Sequence, residues 1–146
     1  MSGSMPSSNV KATFIPGETF EKTFLFDEDS IRNFAIAAGD TNPLHHDNAV
    51  AAGSRFGGII ASGTHSTALM MGVVADQMTR TREGVGLEFS FQFRRAVPAG
   101  ATMKVVWTVT RVEPNAKLGG DVIHVTGTLF REGIVHVLAA GTILCS

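Results

Sequence analysis

The most constraining stretch of the chain is residues 64–79, where Ala68, Leu69, Met70, Met71, Val73, Val74, Ala75 and Met78 leave almost no polar face on a helix. A helix that is apolar nearly all round is normally buried on most sides. Ser62 suits its N-terminal cap, and Arg80, Arg82 and Gly84 suit its end. Four strand candidates follow in succession. Leu87, Phe89, Phe91 and Phe93 alternate with Glu88, Ser90, Gln92 and Arg94, the period of a strand with one apolar face. Pro98-Ala99-Gly100 turns into residues 102–112, the stretch 114–120 turns into 122–130, and Glu132-Gly133 turns into 134–145. A sheet curled around the helix buries both apolar sets, and a flatter sandwich satisfies the same pattern. The expected class is α+β.

Upstream, residues 14–26 alternate apolar and polar after Pro16-Gly17 and suit an edge strand. Asp27-Glu28-Asp29-Ser30 supplies capping and acidic first-turn residues for a helix over about 30–38, with Ile31, Phe34 and Ala35 at helical spacing and Gly39 as its stop. A short helical turn is expected over 48–53. There is no internal repeat or low-complexity linker.

With 146 residues, 44% of them hydrophobic and 17% charged, the chain is long enough to bury one core. One domain over 11–146 is expected after a flexible N-terminal tail over 1–10. The formal net charge of −1 argues against nucleic acid or an anionic membrane held by a broad basic field. No apolar run approaches the roughly 20 residues of a membrane-spanning helix. Residues 1–8 have neither a basic nor an apolar leader pattern, so a cytoplasmic location is expected. The single cysteine, Cys145, can form no internal disulfide or thiolate metal cluster.

Residues 39–47 read GDTNPLHHD, in which glycine, proline and the Asx side chains favour a tight ordered loop over a regular helix. An isolated Gly-Asp more often places a turn or capping carboxylate. Here Asp40 stands five residues from His45 across a rigid Asn42-Pro43 step, on neither a helix face nor a strand face. A carboxylate and an imidazole held with little freedom are what acid/base chemistry needs. The adjacent pair His45-His46 has no third spaced ligand beside it, and no metal is expected. His65, His124 and His136 read as partly buried or surface histidines, and Met70, Met71 and Met78 as core filling.

Gly39-Asp40-Thr41-Asn42-Pro43-Leu44-His45 resembles the signature G-D-x-N-P-[LIV]-H of MaoC-like dehydratases and (R)-specific enoyl-CoA hydratases, in which a small residue, here Ala51, follows. Phe56-Gly57-Gly58-Ile59-Ile60-Ala61-Ser62-Gly63 is similar to that family's second block, leading into its central helix. The resemblance runs from about Phe20 to the C-terminus. It implies a hot-dog fold, Asp40 and His45 as the catalytic pair, and Gly63 as the glycine whose N–H serves a thioester carbonyl. Asn42 would shape the loop, and Ser62 would join the substrate-binding set. Two positions depart from the usual pattern: Ser62 stands where many hydratases carry histidine, and Ala38 where serine, threonine or glycine is usual.

The implied reaction is reversible syn addition of water to a trans-2-enoyl thioester, giving an (R)-3-hydroxyacyl thioester, with no cofactor because coenzyme A is part of the substrate. The carrier would be coenzyme A or an acyl carrier protein, and two copies would pair as a homodimer with the substrate tunnel at their interface. The resemblance leaves two other readings: a hot-dog acyl-CoA thioesterase, and a non-catalytic acyl-thioester binding subunit. Arg94, Arg95 and Lys104 suit the phosphates of coenzyme A and equally suit solvated strand positions.

Overall fold

The computed structural model describes residues 13–80 and 82–146. The tail expected over 1–10 lies outside the described residues. Five strands, β1 (Thr19–Phe26), β2 (Gly84–Phe93), β3 (Ala101–Asn115), β4 (Gly120–Arg131) and β5 (Ile134–Cys145), pair antiparallel in the order β1-β3-β4-β5-β2. Between β1 and β2 run α1 (Glu28–Ala38), a 3-10 turn (Pro43–His45), α2 (Asn48–Ala52) and α3 (Gly63–Met78). Helix α3 touches β3 and β4 and also β1 and β2, the two opposite edges of the sheet. A sheet whose two edges both reach one helix is curled around it. This is the hot-dog arrangement rather than the flatter sandwich.

Alternation along the strands builds the core. Met103, Val105, Trp107 and Val109 of β3 are buried on one face, with Ile123, Val125 and Leu129 of β4 and Val137 and Ile143 of β5. Trp107 Nε1 donates to the Met70 carbonyl of α3 at 2.9 Å, so the largest core side chain leaves no donor unpaired. Its ring lies against Gly127, where a Cβ would stand 2.6 Å away. Only glycine at that point of β4 admits the indole.

Several boundaries differ from the sequence expectation, each for a local reason. Residues 15–18 form a turn instead of strand, with Gly17 at φ 94° and the Ile15 N–H donating to Glu18 Oε1. Helix α1 starts at Glu28 because Asp27 is its cap, accepting from the Ser30 N–H at 2.9 Å. Strand β2 begins at Gly84, which was expected to close the helix, and carries a register shift between Gly86 and Glu88. Strand β3 continues through Pro114, beyond its pairing with β1 at Thr108, where a missing N–H leaves no ladder bond unmade on that side.

The largest correction concerns α3, which is not buried on most sides within this chain. His65, Ser66, Met70, Val73, Val74 and Met78 are buried, whereas Ala68, Met71 and Ala75 are exposed. Met71, expected in the core, is 40% exposed. The sheet, β1 and α1 cover one side of the helix, and no described element covers the other. His65 and His136, by contrast, are buried more completely than their positions suggested. No helix among the described residues is long and apolar enough to cross a membrane.

Candidate active site

The end of α1 positions Asp40. Gly39 adopts φ 73°, a conformation that favours glycine, and its N–H reaches the Ile36 carbonyl while the Asp40 N–H reaches the Ala35 carbonyl at 2.8 Å. These two bonds form a Schellman cap, so the helix terminus fixes where the Asp40 backbone lies. One carboxylate oxygen, Oδ1, then accepts from the Asn42 N–H at 3.0 Å. His46 braces the same residue from the other side, its Nε2 donating to the Asp40 carbonyl at 2.6 Å.

Asn42 shapes the next step. Its Oδ1 accepts from the Leu44 N–H at 3.0 Å, capping the 3-10 turn that Pro43 opens with its fixed φ. That turn delivers His45 inward, where it is 5% exposed. Asp47 closes the loop by capping α2 through bonds from Ala49 and Val50. A second segment locks the loop in place: the Ile60 N–H donates to the Leu44 carbonyl, and residues 59–61 pair with 97–99 through the Ala61-to-Val97 and Ala99-to-Ile59 bonds.

His45 Nδ1 lies 2.7 Å from the Ile60 carbonyl. A carbonyl only accepts, so Nδ1 carries the proton, and in neutral imidazole the lone pair belongs to Nε2. Nε2 stands 3.4 Å from Asp40 Oδ2, the carboxylate oxygen not engaged by Asn42. The pair therefore presents two acceptors side by side. One water seated there can donate a hydrogen to each.

His45, Asn42 and Gly63 line one cleft of about 610 Å3, together with Ile60, Ala61, Ser66 and the stretch from Phe93 to Val97. Asp40 is half-buried beside His45 rather than part of that lining. Gly63 is the first residue of α3, so its N–H has no intrahelical partner, and the dipole there favours developing negative charge. Ser62, expected to contact substrate, is 1% exposed and outside the lining; its hydroxyl caps α3 by accepting from the His65 N–H and also bonds Thr64 Oγ1. Lys104 also lies elsewhere, paired with Glu21 at 3.1 Å.

Two contributors escaped the sequence reading. The Ile60 carbonyl carries no side-chain signal, and Arg55 sits ten residues beyond His45 in an unremarkable glycine-rich stretch. His65 is near in sequence but faces another way, stacked on Phe34 at 4.6 Å and tilted against Phe26 at 4.9 Å. Burial lowers its pKa, opposed by the negative charge of Asp27. Among the described residues, no three His, Cys, Asp or Glu side chains gather closely enough to hold a metal ion.

Residues 10–131 match the family model of the MaoC like domain. The chain belongs to that family of hot-dog dehydratases. It is 29% identical over 146 residues to a UPF0336 protein of Streptomyces avermitilis, covering 94% of this chain and 92% of that one. Among solved structures it resembles an (R)-hydratase of Pseudomonas aeruginosa, with 28% identity, a TM-score of 0.78 and coverage of 90% and 82%. It shares its fold with an (R)-hydratase of A. caviae involved in PHA biosynthesis, at 22% identity, a TM-score of 0.81 and coverage of 92% and 98%.

Proposed function

We propose that the chain is an (R)-specific enoyl thioester hydratase, acting reversibly as a dehydratase. The observation that carries this reading is the 3.4 Å approach of Asp40 Oδ2 to His45 Nε2, with the Nδ1 proton held on the Ile60 carbonyl. A water donating to both acceptors has its oxygen free to attack the β-carbon of a 2-enoyl thioester. Nε2 takes the proton that leaves the water, and Asp40 stabilises the imidazolium formed. The alkene electron pair moves to the thioester oxygen, where the Gly63 N–H at the start of α3 receives the charge. Nε2 then returns its proton to the α-carbon. Because one residue removes and delivers the proton from one side, addition is syn.

Two copies pair in this reading. Strand β2 is an edge strand whose Val85, Leu87 and Phe93 are exposed, and Met71 of α3 adds to the uncovered apolar surface. Unpaired edges of this kind are normally covered. The P. aeruginosa relative named above supports the chemistry by a likeness that covers 90% of this chain.

The test is a panel of trans-2-enoyl thioesters from crotonyl to long-chain and branched, followed by loss of enoyl ultraviolet absorbance and chiral analysis of the product. An (R)-3-hydroxyacyl thioester is expected. Release of free thiol would instead mark a thioesterase, and no turnover across the panel would mark a binding subunit.

A further inference from the structure

Hydroxyl groups crowd the start of α3, and all but one are engaged within the protein. Ser62 Oγ accepts from the His65 N–H and bonds Thr64 Oγ1 at 2.9 Å, while Thr67 Oγ1 donates to the Thr64 carbonyl at 3.1 Å. At the far end of the same helix Thr79 Oγ1 donates to the Ala75 carbonyl at 2.6 Å. A bond back to the preceding turn is the usual outlet for a helical hydroxyl that does not face water. Ser66 takes none: among the described residues its hydroxyl has no partner, although the residue is 3% exposed.

Ser66 instead faces the cleft that holds His45 and Gly63. Apart from His45, the other buried residues on the wall of that cleft are Ile60, Ala61, Val97 and Val137, all apolar. A hydroxyl in such a place is costly to leave unpaired, and its partner must come from whatever enters the cleft. Position fixes which ligand atom it meets. Ser66 lies three residues past Gly63 on the same face of α3, and helical side chains tilt back toward the N-terminus of their helix. Its Oγ is therefore carried over the turn that opens with the Gly63 N–H.

We infer that Ser66 is a further catalytic residue, whose hydroxyl donates to the thioester oxygen beside the Gly63 N–H. This rests on the hydratase reading above. As water adds to the β-carbon, the alkene electron pair moves onto that oxygen, and two donors rather than one receive the charge. The hydroxyl keeps its own proton throughout, and the proton that reaches the α-carbon still comes from His45 Nε2. A serine O–H turns about its Cβ–Oγ bond and so follows the oxygen as the thioester becomes an enolate, which the amide of Gly63 cannot do.

The experiment compares the intact protein with Ser66→Ala in two ways: by hydration kinetics, and by the infrared carbonyl band of bound butyryl-coenzyme A labelled with 13C at its carbonyl, which has no alkene to hydrate. Ser66→Ala breaks no hydrogen bond within the protein and replaces serine by a better helix former, so it should melt at or above the parent. Its kcat should fall by about 10- to 100-fold with KM within about two-fold of the parent's, because the contact strengthens as charge develops on the oxygen. In the parent the bound carbonyl band should lie below that of the free thioester, and in Ser66→Ala it should move part of the way back. A raised KM at unchanged kcat would place the hydroxyl against another part of the substrate and overturn the assignment. So would a variant with the parent's kcat and KM, or a band at one frequency in both proteins. A parent that hydrates no enoyl thioester, with the band still moved by Ser66→Ala, would sink the hydratase reading and leave the hydroxyl as a donor to a thioester carbonyl.

Discussion

The Ile60 carbonyl sits 2.7 Å from His45 Nδ1 and so decides which nitrogen of that imidazole is free. Nε2 is left as an acceptor 3.4 Å from the unengaged oxygen of Asp40. The partner is backbone, so it stays in place whatever side chain occupies position 60. Residues 59–61 are in turn tied to 97–99, which makes the orientation of the ring a property of the fold.

In the proposed reaction a thioester oxygen must approach the Gly63 backbone closely. An added Cβ would lie 3.2 Å from the Phe93 ring, and that ring is 58% exposed and free to turn aside. Gly63→Val should therefore fold with a melting temperature near the parent's while lowering turnover on the order of 10²-fold, the scale of losing one oxyanion donor. Full activity in a folded Gly63→Val protein would remove Gly63 from the proposed site.

Gly127 offers the opposite case, far from the chemistry. Its virtual Cβ meets the fully buried Trp107 indole at 2.6 Å, and that ring is pinned by its bond to Met70. Gly127→Ala should cost roughly 1–3 kcal/mol of unfolding free energy in denaturant melts, as overpacking of a tight core does. An unchanged midpoint would mean that the indole relaxes more freely than its contacts indicate.

Acid should destabilise the fold. Burial lowers the pKa of His65, with Asp27 opposing; burial also lowers that of His136, opposed by its hydrogen bond to Ala96 and reinforced by Arg131 and Arg95. Groups that bind protons less readily when folded take them up on unfolding. Stability is therefore full above the ordinary histidine value of about 6.5 and falls as pH drops below it. His65→Phe keeps the ring stacking against Phe34 and removes one titrating group, so its stability should fall less steeply in melts between about pH 7.5 and about pH 5.5. An identical slope in the variant, or stability that rises on acidification, would contradict this.

The loop was legible in the sequence because its residues have few alternative uses: Gly39 is needed for a left-handed cap, and Asn42 and Pro43 for the tight turn that brings His45 beside Asp40. The strands from β3 to β5 were legible by alternation. Ser62 was ambiguous, since serine before a helix suits a cap as well as a ligand contact, and the bond from His65 shows the cap. Met71 could not be placed from hydropathy, because burial depends on what lies opposite and no described element covers that side of α3. Lys104 and Arg94 looked alike as strand cations; only the proximity of Glu21 to one, and of the cleft to the other, separates them.

Turnover of Asp40→Asn and His45→Gln, measured on the best enoyl thioester alongside thermal melting, tests the central proposal most directly. Asn keeps an acceptor for the Asn42 N–H and removes the charge, and Gln keeps hydrogen bonding but removes easy proton exchange. Each variant should fold and lose about 10²-fold or more of its hydration rate. Two stable variants with nearly full activity would contradict the mechanism.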